Sequence, residues 1–380
     1  MTFIFSKDRE VLDFLKNTLG NNIVENKRNT KILFRGNYVK YPFENGLSGL
    51  PEKDNFECVK YFIENLIEKD KTAKPVNLKQ WFYYTFGKGI AEKYLLPYNE
   101  KIWKYPMEKT STEWVERIPN PPLEDIIKSS IGIGTEGYVH QLYFYYPREG
   151  GIESIIKSLE SGMKEKIQKG FRISGIEKSG KVWNVHGEDK REYDRIISTI
   201  PVQSLAGAMG APKEIIKTAK SLKFNSIITV MLGIDKPDIN DFSWLYIPDR
   251  DIITHRISFP SNYSDRNAPK GTSSILAEIT CNFNDDLWKM DEEKIVGRVI
   301  CDMEKLGIIK SHDVCFSKAM KLKYAYVIND IDYRKNNKVV QNYMKKKGIG
   351  MVGRFSEFKY LNMDDCVRSS MNFVKEEFRD

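Results

Sequence analysis

Between about Phe224 and Thr280 four strand-like runs follow one another with little helix, while the chain on either side alternates helical and strand-like segments. Strands joined directly to one another fold back as an antiparallel sheet, whereas helix–strand alternation builds parallel strands covered by helices. A chain with both is of mixed class, α/β with α+β insertions. Its α/β part has to be assembled from segments far apart in sequence. At 380 residues the chain exceeds one ordinary domain and can bury a sizeable core.

Ahead of the strand block, Arg9–Leu19 places Val11, Leu12, Phe14, Leu15 and Leu19 at helical spacing, and Lys31–Val39 reads as a hairpin turning at Arg35-Gly36-Asn37. From about Phe56 to Ile127 the chain is helix-dominated and aromatic-rich, and it ends in the breaker run Ile118-Pro119-Asn120-Pro121-Pro122. Leu142–Tyr146 reads as a strand, Arg148-Glu149-Gly150-Gly151 as a turn, and the next stretch as a helix reaching Gln168. Phe171–Glu177 and Lys181–Gly187 read as paired strands and Arg195–Ile200 as a buried one. After the block, Asp291–Leu306 carries Ile295, Val296, Val299, Ile300, Met303 and Leu306 on one face and stops at Gly307. The end reads as a strand around Ile349–Val352, a turn at Gly353-Arg354, and a helix from Asn362 with Cys366, Val367, Ser370, Met371 and Val374 facing inward.

Lys and Arg number 60 against 52 Asp and Glu, a surplus of eight that is scattered among residues of both signs. That balance suits an anionic small molecule, and no zinc-finger spacing, helix-turn-helix grammar or RNP-type motif accompanies it, so no nucleic acid partner is expected. Cys58, Cys281, Cys301, Cys315 and Cys366 are odd in number and never form a CxxC pair, and His140, His186, His255 and His312 never approach metal-helix spacing. No metal is expected. The chain is charged by residue 7 with no apolar leader, and the run Ile227–Ile234 is far shorter than a bilayer span, which reads as a cytoplasmic protein with no membrane span.

Gly132-Ile133-Gly134-Thr135-Glu136-Gly137 matches GxGxxG letter for letter, yet a helix-like stretch precedes it and a strand follows, the reverse of the dinucleotide fingerprint; it reads as a glycine-rich connection. Gly46-Leu47-Ser48-Gly49-Leu50 lacks the second glycine of GxSxG, and no spacing singles out a carboxylate pair. The chemistry is therefore expected to belong to a cofactor. Several segments pair aromatics with arginine: Tyr41-Pro42-Phe43-Glu44-Asn45, Pro97-Tyr98-Asn99 with Trp103, Trp114 with Arg117, and Trp244-Leu245-Tyr246 leading to Arg256. Aromatic faces stack on a planar base and guanidinium forks match phosphate oxygens, the two needs of a nucleotide diphosphate. Taken singly, each such segment is more often helical core with a solvated arginine.

In order, these segments resemble the UDP-galactopyranose mutases, particularly their eukaryotic type, within the flavin amine oxidase and protoporphyrinogen oxidase superfamily. The resemblance runs from Ile4-Phe5-Ser6 through Tyr38–Asn45, Pro97-Tyr98-Asn99, Trp114 with Arg117, Pro147 with Gly150-Gly151, Ser198-Thr199, Trp244-Leu245-Tyr246, Arg256 and Ser261–Ser264 to Gly353-Arg354-Phe355 with Tyr360. It implies FAD as cofactor and ring isomerisation of a UDP-sugar, in which the N5 of reduced flavin attacks the anomeric carbon and UDP leaves and returns. By carry-over, Arg117 and Arg256 clamp the diphosphate, with Tyr263 and Tyr326 as phosphate hydroxyl donors. Tyr41, Phe43, Tyr94 and Tyr98 with Asn99 form the uridine side, with Trp103 close by, and Glu44 and Tyr246 are further substrate-binding residues. Gly353, Arg354, Tyr360 and the helix start Asn362-Met363-Asp364 face flavin or substrate. Glu44 stands where the mutases usually carry glutamine.

The family's dinucleotide strand-turn-helix would lie ahead of Ile4, so the Rossmann-like FAD domain is expected to be N-terminally incomplete and built from residues 1–40, 141–202 and 331–380. Residues 41–140 are expected as a helical domain and 203–330 as an antiparallel-sheet substrate domain. Two alternatives stand beside the mutase: an FAD oxidoreductase of protoporphyrinogen oxidase or amine oxidase type, and an inactive truncated flavoprotein fragment that only binds a nucleotide or a partner. A small-molecule substrate and homo-oligomerisation are the expected partners.

Overall fold

The computed structural model describes residues 3–70, 72, 74–113, 115, 120–135 and 142–378. Asp8 opens helix α1 (Arg9–Leu19) by accepting from the Val11 amide, and its buried stripe is Val11, Leu15 and Leu19. Strand β1 (Val24–Lys27) precedes the hairpin of β2 (Thr30–Phe34) and β3 (Asn37–Lys40), which turns where Arg35 and Gly36 take positive φ of 48° and 79°, the turn geometry that follows strand twist. The aromatic-rich stretch forms α2 (Glu52–Glu68), α3 (Leu78–Ile90), α4 (Leu96–Trp103) and α5 (Leu123–Ser130). Then follow β4 (Tyr143–Tyr146), α6 (Glu153–Ser161), β5 (Gly175–Ser179), β6 (Val182–His186), β7 (Lys190–Tyr193) and β8 (Ile196–Ser198).

Helices α7 (Val202–Ala208) and α8 (Lys213–Ser221) lead into β9 (Lys223–Phe224), β10 (Ser226–Ile234), β11 (Trp244–Tyr246), β12 (Arg256–Ser258) and β13 (Ser273–Cys281). The remainder is α9 (Asp286–Lys289), α10 (Glu292–Lys305), β14 (Val314–Leu322), β15 (Val327–Ile328), α11 (Tyr333–Lys347), β16 (Ile349–Met351) and α12 (Met363–Glu377).

By contacts the chain divides into two units. The first comprises Asn21–Ile152 and Asn225–Ala325, the second Thr2–Gly20, Glu153–Phe224 and Tyr326–Asp380. The helix-rich stretch and the strand block, read from sequence as separate domains, lie together in the first unit. So does the 30–40 hairpin, because β2 adds in parallel to β11, with Thr30 opposite Trp244 and Ile32 opposite Tyr246. The first unit's main sheet has the order β14-β10-β13-β12-β11-β2-β3. One face of it carries Val230, Leu245, Ile257 and Ala277 into a core completed by Ile295, Val299 and Met303 of α10, which covers that face as the periodicity predicts.

In the second unit, β16 pairs in parallel with β8, and β5, β6 and β7 form a meander. Val202, Leu205, Ala219, Val340, Met344, Ile349 and Phe358 make its core.

Four local expectations need correction. Helix α6 stops at Ser161 rather than Gln168, since Gly162 and the charged run after it provide no apolar stripe to pack. Strand β5 begins at Gly175, not Phe171. Strand β8 has only three residues, and Ile197 in it is 46% exposed, so it is not the fully buried strand that its apolar run suggests. Helix α12 buries none of its side chains fully, and Ser370 and Val374 are exposed.

Candidate active site

In the first unit the candidate site rests on strand register. Tyr246 of β11 lies opposite Arg256 of β12, and Arg256 lies opposite Glu278 of β13, so the three side chains share one face, the reverse of the α10-covered one. Arg256 Nε donates to Glu278 Oε2. Burial alone would raise the Glu278 carboxyl; the Arg256 guanidinium beside it outweighs that and holds it well below the ordinary carboxylate range. A lone carboxylate in the apolar run Ile275–Ile279 was the sequence signal for this partner, and it was not singled out.

From Tyr246 a ladder of rings runs inward. Tyr246 meets Tyr41 at 5.0 Å between ring centroids and Tyr98 at 5.3 Å; Tyr98 stacks on Tyr94 at 5.4 Å, and Tyr94 on Phe43 at 4.7 Å. Arg28 lies 5.2 Å over the Tyr41 ring. The four aromatics placed on the uridine side, Tyr41, Phe43, Tyr94 and Tyr98, are thus joined with Tyr246 in one cluster of ring contacts.

Helix α4, which carries Tyr98, is pinned by side chains that take up its C-terminal carbonyls. Thr280 donates to the Lys101 carbonyl at 2.6 Å, and Asn225 to those of Ile102 at 2.8 Å and Trp103 at 3.1 Å. The buried Lys101 ammonium in turn donates to the carbonyls of Ile247 at 2.9 Å and Asp249 at 2.6 Å, just beyond Tyr246; burial pushes its pKa down to about 7. Asn99 donates to the Leu95 carbonyl at 2.7 Å and accepts from Trp103 Nε1 at 3.0 Å, so this pair braces the helix. Lys101 was missed by sequence reasoning because a lysine on a helix is ordinarily a solvated one.

Glu44, in the short 3₁₀ turn Phe43–Asn45, is buried, and burial pushes its carboxyl pKa up to about 7. Tyr263, read as a phosphate hydroxyl donor, is 1% exposed; it packs against Phe144 and Tyr146, and its hydroxyl donates to the Ser243 carbonyl at 2.5 Å. Its place is in the sheet's support. Arg117 lies outside the described residues.

The second unit brings together another set. Tyr326 stacks on Tyr360 at 6.1 Å, Arg354 lies 5.2 Å over the Tyr360 ring, and Arg354 Nε donates to the Leu361 carbonyl at 2.5 Å. Arg354, Tyr360 and Leu361 lie between β16 and α12, in the strand–turn–helix that the sequence predicts, and Tyr326 reaches them from just ahead of β15. Gly353 turns there with φ 86°, and open space lies where a Cβ would stand. Asn362 caps α12 in a reciprocal box with Asp365. Asp364 accepts from Ser6 Oγ at 2.7 Å, and burial raises its pKa against that bond. At the carboxyl end of β8, beside Met351 of β16, Ser198 is 5% exposed and its hydroxyl has no hydrogen-bond partner among the described residues. The GxGxxG stretch is preceded by α5, as its reading as a connection requires; Glu136 and Gly137 lie outside the described residues.

The fold is shared with several enzymes of known structure. Reduced UDP-galactopyranose mutase matches with a TM-score of 0.90 at 24% identity, over 100% of this chain and 84% of that one. A protein described as a protoporphyrinogen oxidase from Exiguobacterium sp. 255-15 matches with 0.75 at 15% identity, over 99% of this chain and 86% of that one. A fatty acid isomerase from P. acnes matches with 0.64 at 12% identity, over 100% and 86%. At these identities the likeness is one of fold. The family model for flavin containing amine oxidoreductase matches residues 123–330, more than half of the chain, and its cofactor is the FAD that the resemblance implies. The chain therefore belongs to the flavin containing amine oxidoreductase family.

Proposed function

We propose that this protein is a flavin-dependent enzyme acting on a nucleotide sugar, with ring isomerisation of the UDP-galactopyranose mutase kind as its reaction. The observation that carries the proposal is the row Tyr246–Arg256 at the end of the aromatic ladder, which sets stacking faces for a base beside a guanidinium for a diphosphate. Tyr41, Phe43, Tyr94, Tyr98 and Tyr246 take the uridine side and exclude water from it. Arg256, with Arg117, holds the diphosphate. Near neutral pH Glu44 is half protonated and offers both a donor and an acceptor, as the family's glutamine amide does.

The second unit fits a flavin dinucleotide. Ligands of parallel strands lie at their carboxyl ends, where the partnerless Ser198 hydroxyl and the open Gly353 turn are found. Ser198, Gly353, Arg354 and the first amides of α12, at Met363 and Asp364, would hold FAD, with Tyr326 and Tyr360 facing flavin or substrate. Bound and reduced, FAD supplies the nucleophilic nitrogen that displaces UDP from the anomeric carbon with no net redox change.

Titration of the chain with FAD, followed by absorbance and fluorescence, and then with UDP tests the proposal. UDP should perturb the bound flavin, and Arg256→Ala should weaken UDP binding by about 10- to 100-fold, the worth of a charge-assisted hydrogen bond. A flavin spectrum indifferent to UDP would sink it. A second reading, an FAD oxidoreductase of protoporphyrinogen oxidase type, draws on the pairing of Arg256 with Glu278, which makes that spot locally neutral and suited to an uncharged substrate. Turnover decides: an oxidase consumes one acceptor per cycle, whereas a mutase needs its flavin reduced only once.

A further inference from the structure

The fold packs the acid-free basic segment Tyr333–Lys347 beside a second basic helix. Helices α8 and α11 pack together in the second unit. They carry nine lysines and arginines, three on α8 (Lys213, Lys217, Lys220) and six on α11, against the single acid Glu214. Nine against one leaves a surplus of eight, equal to the formal net charge of the whole chain. All nine are exposed, and none of the eight lysines has an ion-pair partner among the described residues.

A solvated helix face normally mixes signs, because acid–base neighbours three or four residues apart stabilise it; α11 contains no acidic residue. Lys345, Lys346 and Lys347 suit the negative end of the α11 dipole, but that effect fades within one turn and leaves Lys335, Lys338 and the α8 lysines unexplained. The buried stripe of α11 is Tyr333, Asn337, Val340 and Met344. Its outward stripe runs Lys335, Lys338, Val339, Asn342 and Lys346, all exposed, and exposed Ile331 lies just ahead of it.

We propose that the α8–α11 face docks peripherally on an anionic phospholipid surface, its lysines reaching headgroup phosphates while Val339 and Ile331 enter the interfacial layer. Lysine, a compact point charge on a flexible stem, suits a diffuse sheet of phosphates. A nucleic acid site would be expected to add arginine forks and exposed aromatics for stacking, and this face has one arginine and no fully exposed aromatic. No helix among the described residues is long and apolar enough to cross a membrane, so the attachment is to the surface.

Cosedimentation of the FAD-loaded full chain with phosphatidylcholine vesicles, with and without phosphatidylserine, tests this. Binding is expected only with phosphatidylserine and should weaken as salt rises. The triple variant Lys335→Glu, Lys338→Glu, Lys346→Glu should lose about 100-fold in partitioning, since each lysine near such a surface is worth about five-fold. A control, Lys164→Glu with Lys166→Glu in an exposed turn outside these helices, should bind as the parent does, and unchanged flavin absorbance will show that both variants are folded. Equal binding to both kinds of vesicle, or a triple variant that binds like the parent, overturns the proposal. So does tighter retention of the parent on duplex DNA than on phosphatidylserine vesicles through the same lysines.

Discussion

In the first unit, the protein itself provides partners for the polar groups of the candidate site. Arg256 has Glu278, Asn99 has Leu95 and Trp103, Lys101 has two carbonyls, and the Tyr263 hydroxyl has Ser243. The second unit arranges its candidate groups on a turn, a helix cap and a strand end, leaves Tyr326, Tyr360 and Arg354 half-buried, and buries the Ser198 hydroxyl without a partner among the described residues. The contrast separates two ways of positioning a site. Where side chains are held by register and packing, a substitution changes folding and binding together; where they stand on turns and strand ends, it changes binding with little effect on folding.

The largest effect is expected at Arg256. Arg256→Ala strands a buried carboxylate, and urea unfolding should show a loss of about 3–5 kcal/mol. Adding Glu278→Gln should restore most of that stability without restoring UDP binding. If the double variant stays unstable, or recovers UDP affinity, the first unit does not couple folding and binding in this way. Glu278 also has its folded pKa below the unfolded one, so its contribution is present above the usual carboxylate range and lost as pH falls below it. Glu278→Gln should abolish that acid limb.

Two buried groups give opposite pH slopes. Glu44, with its folded pKa raised to about 7, stabilises the fold below its unfolded pKa, and this is lost as pH rises to about 7. Glu44→Gln should therefore be more stable than the parent by about 3 kcal/mol at alkaline pH, since each tenfold change in proton affinity is worth about 1.4 kcal/mol. Lys101, with its folded pKa lowered to about 7, carries a burial cost that is relieved as pH rises from about 7 towards the unfolded lysine value. Lys101→Met should lose that rise. Unfolding curves across this pH range check both, since each variant should remove one limb.

In the second unit the effects shrink. Gly353→Ala has room for its methyl group and meets only the strain of a positive φ, about 1 kcal/mol. Ser198→Ala should change stability without flavin by less than about 1 kcal/mol, because no intramolecular bond is lost, while FAD titration should show weaker binding. A large destabilisation by Ser198→Ala would erase the contrast between the units.

Much of the fold was legible because its causes are local. The Asp8 cap and apolar stripe mark α1, paired positive-φ residues mark the hairpin turn, and the stripe ending at Gly307 marks α10. The failures lay where packing decides. Helix α6 lacks a stripe to continue on, and the apolar run of β8 leaves Ile197 exposed. In the site, aromatic segments pointed to the ring ladder, but neither Glu278 nor Lys101 was marked, since the groups each one bonds are distant in sequence. Tyr263 was marked, and its burial turned a candidate phosphate ligand into a support.

Residue order alone determined the mixed α/β class, most element positions, and the family, because periodicity, caps, turns and motif order are carried by near neighbours along the chain. Only the tertiary structure decided that Tyr246, Arg256 and Glu278 stand side by side, and that the basic helices α8 and α11 pack together. Strand register and helix packing are settled by which apolar faces can be buried together, and that depends on the whole chain at once.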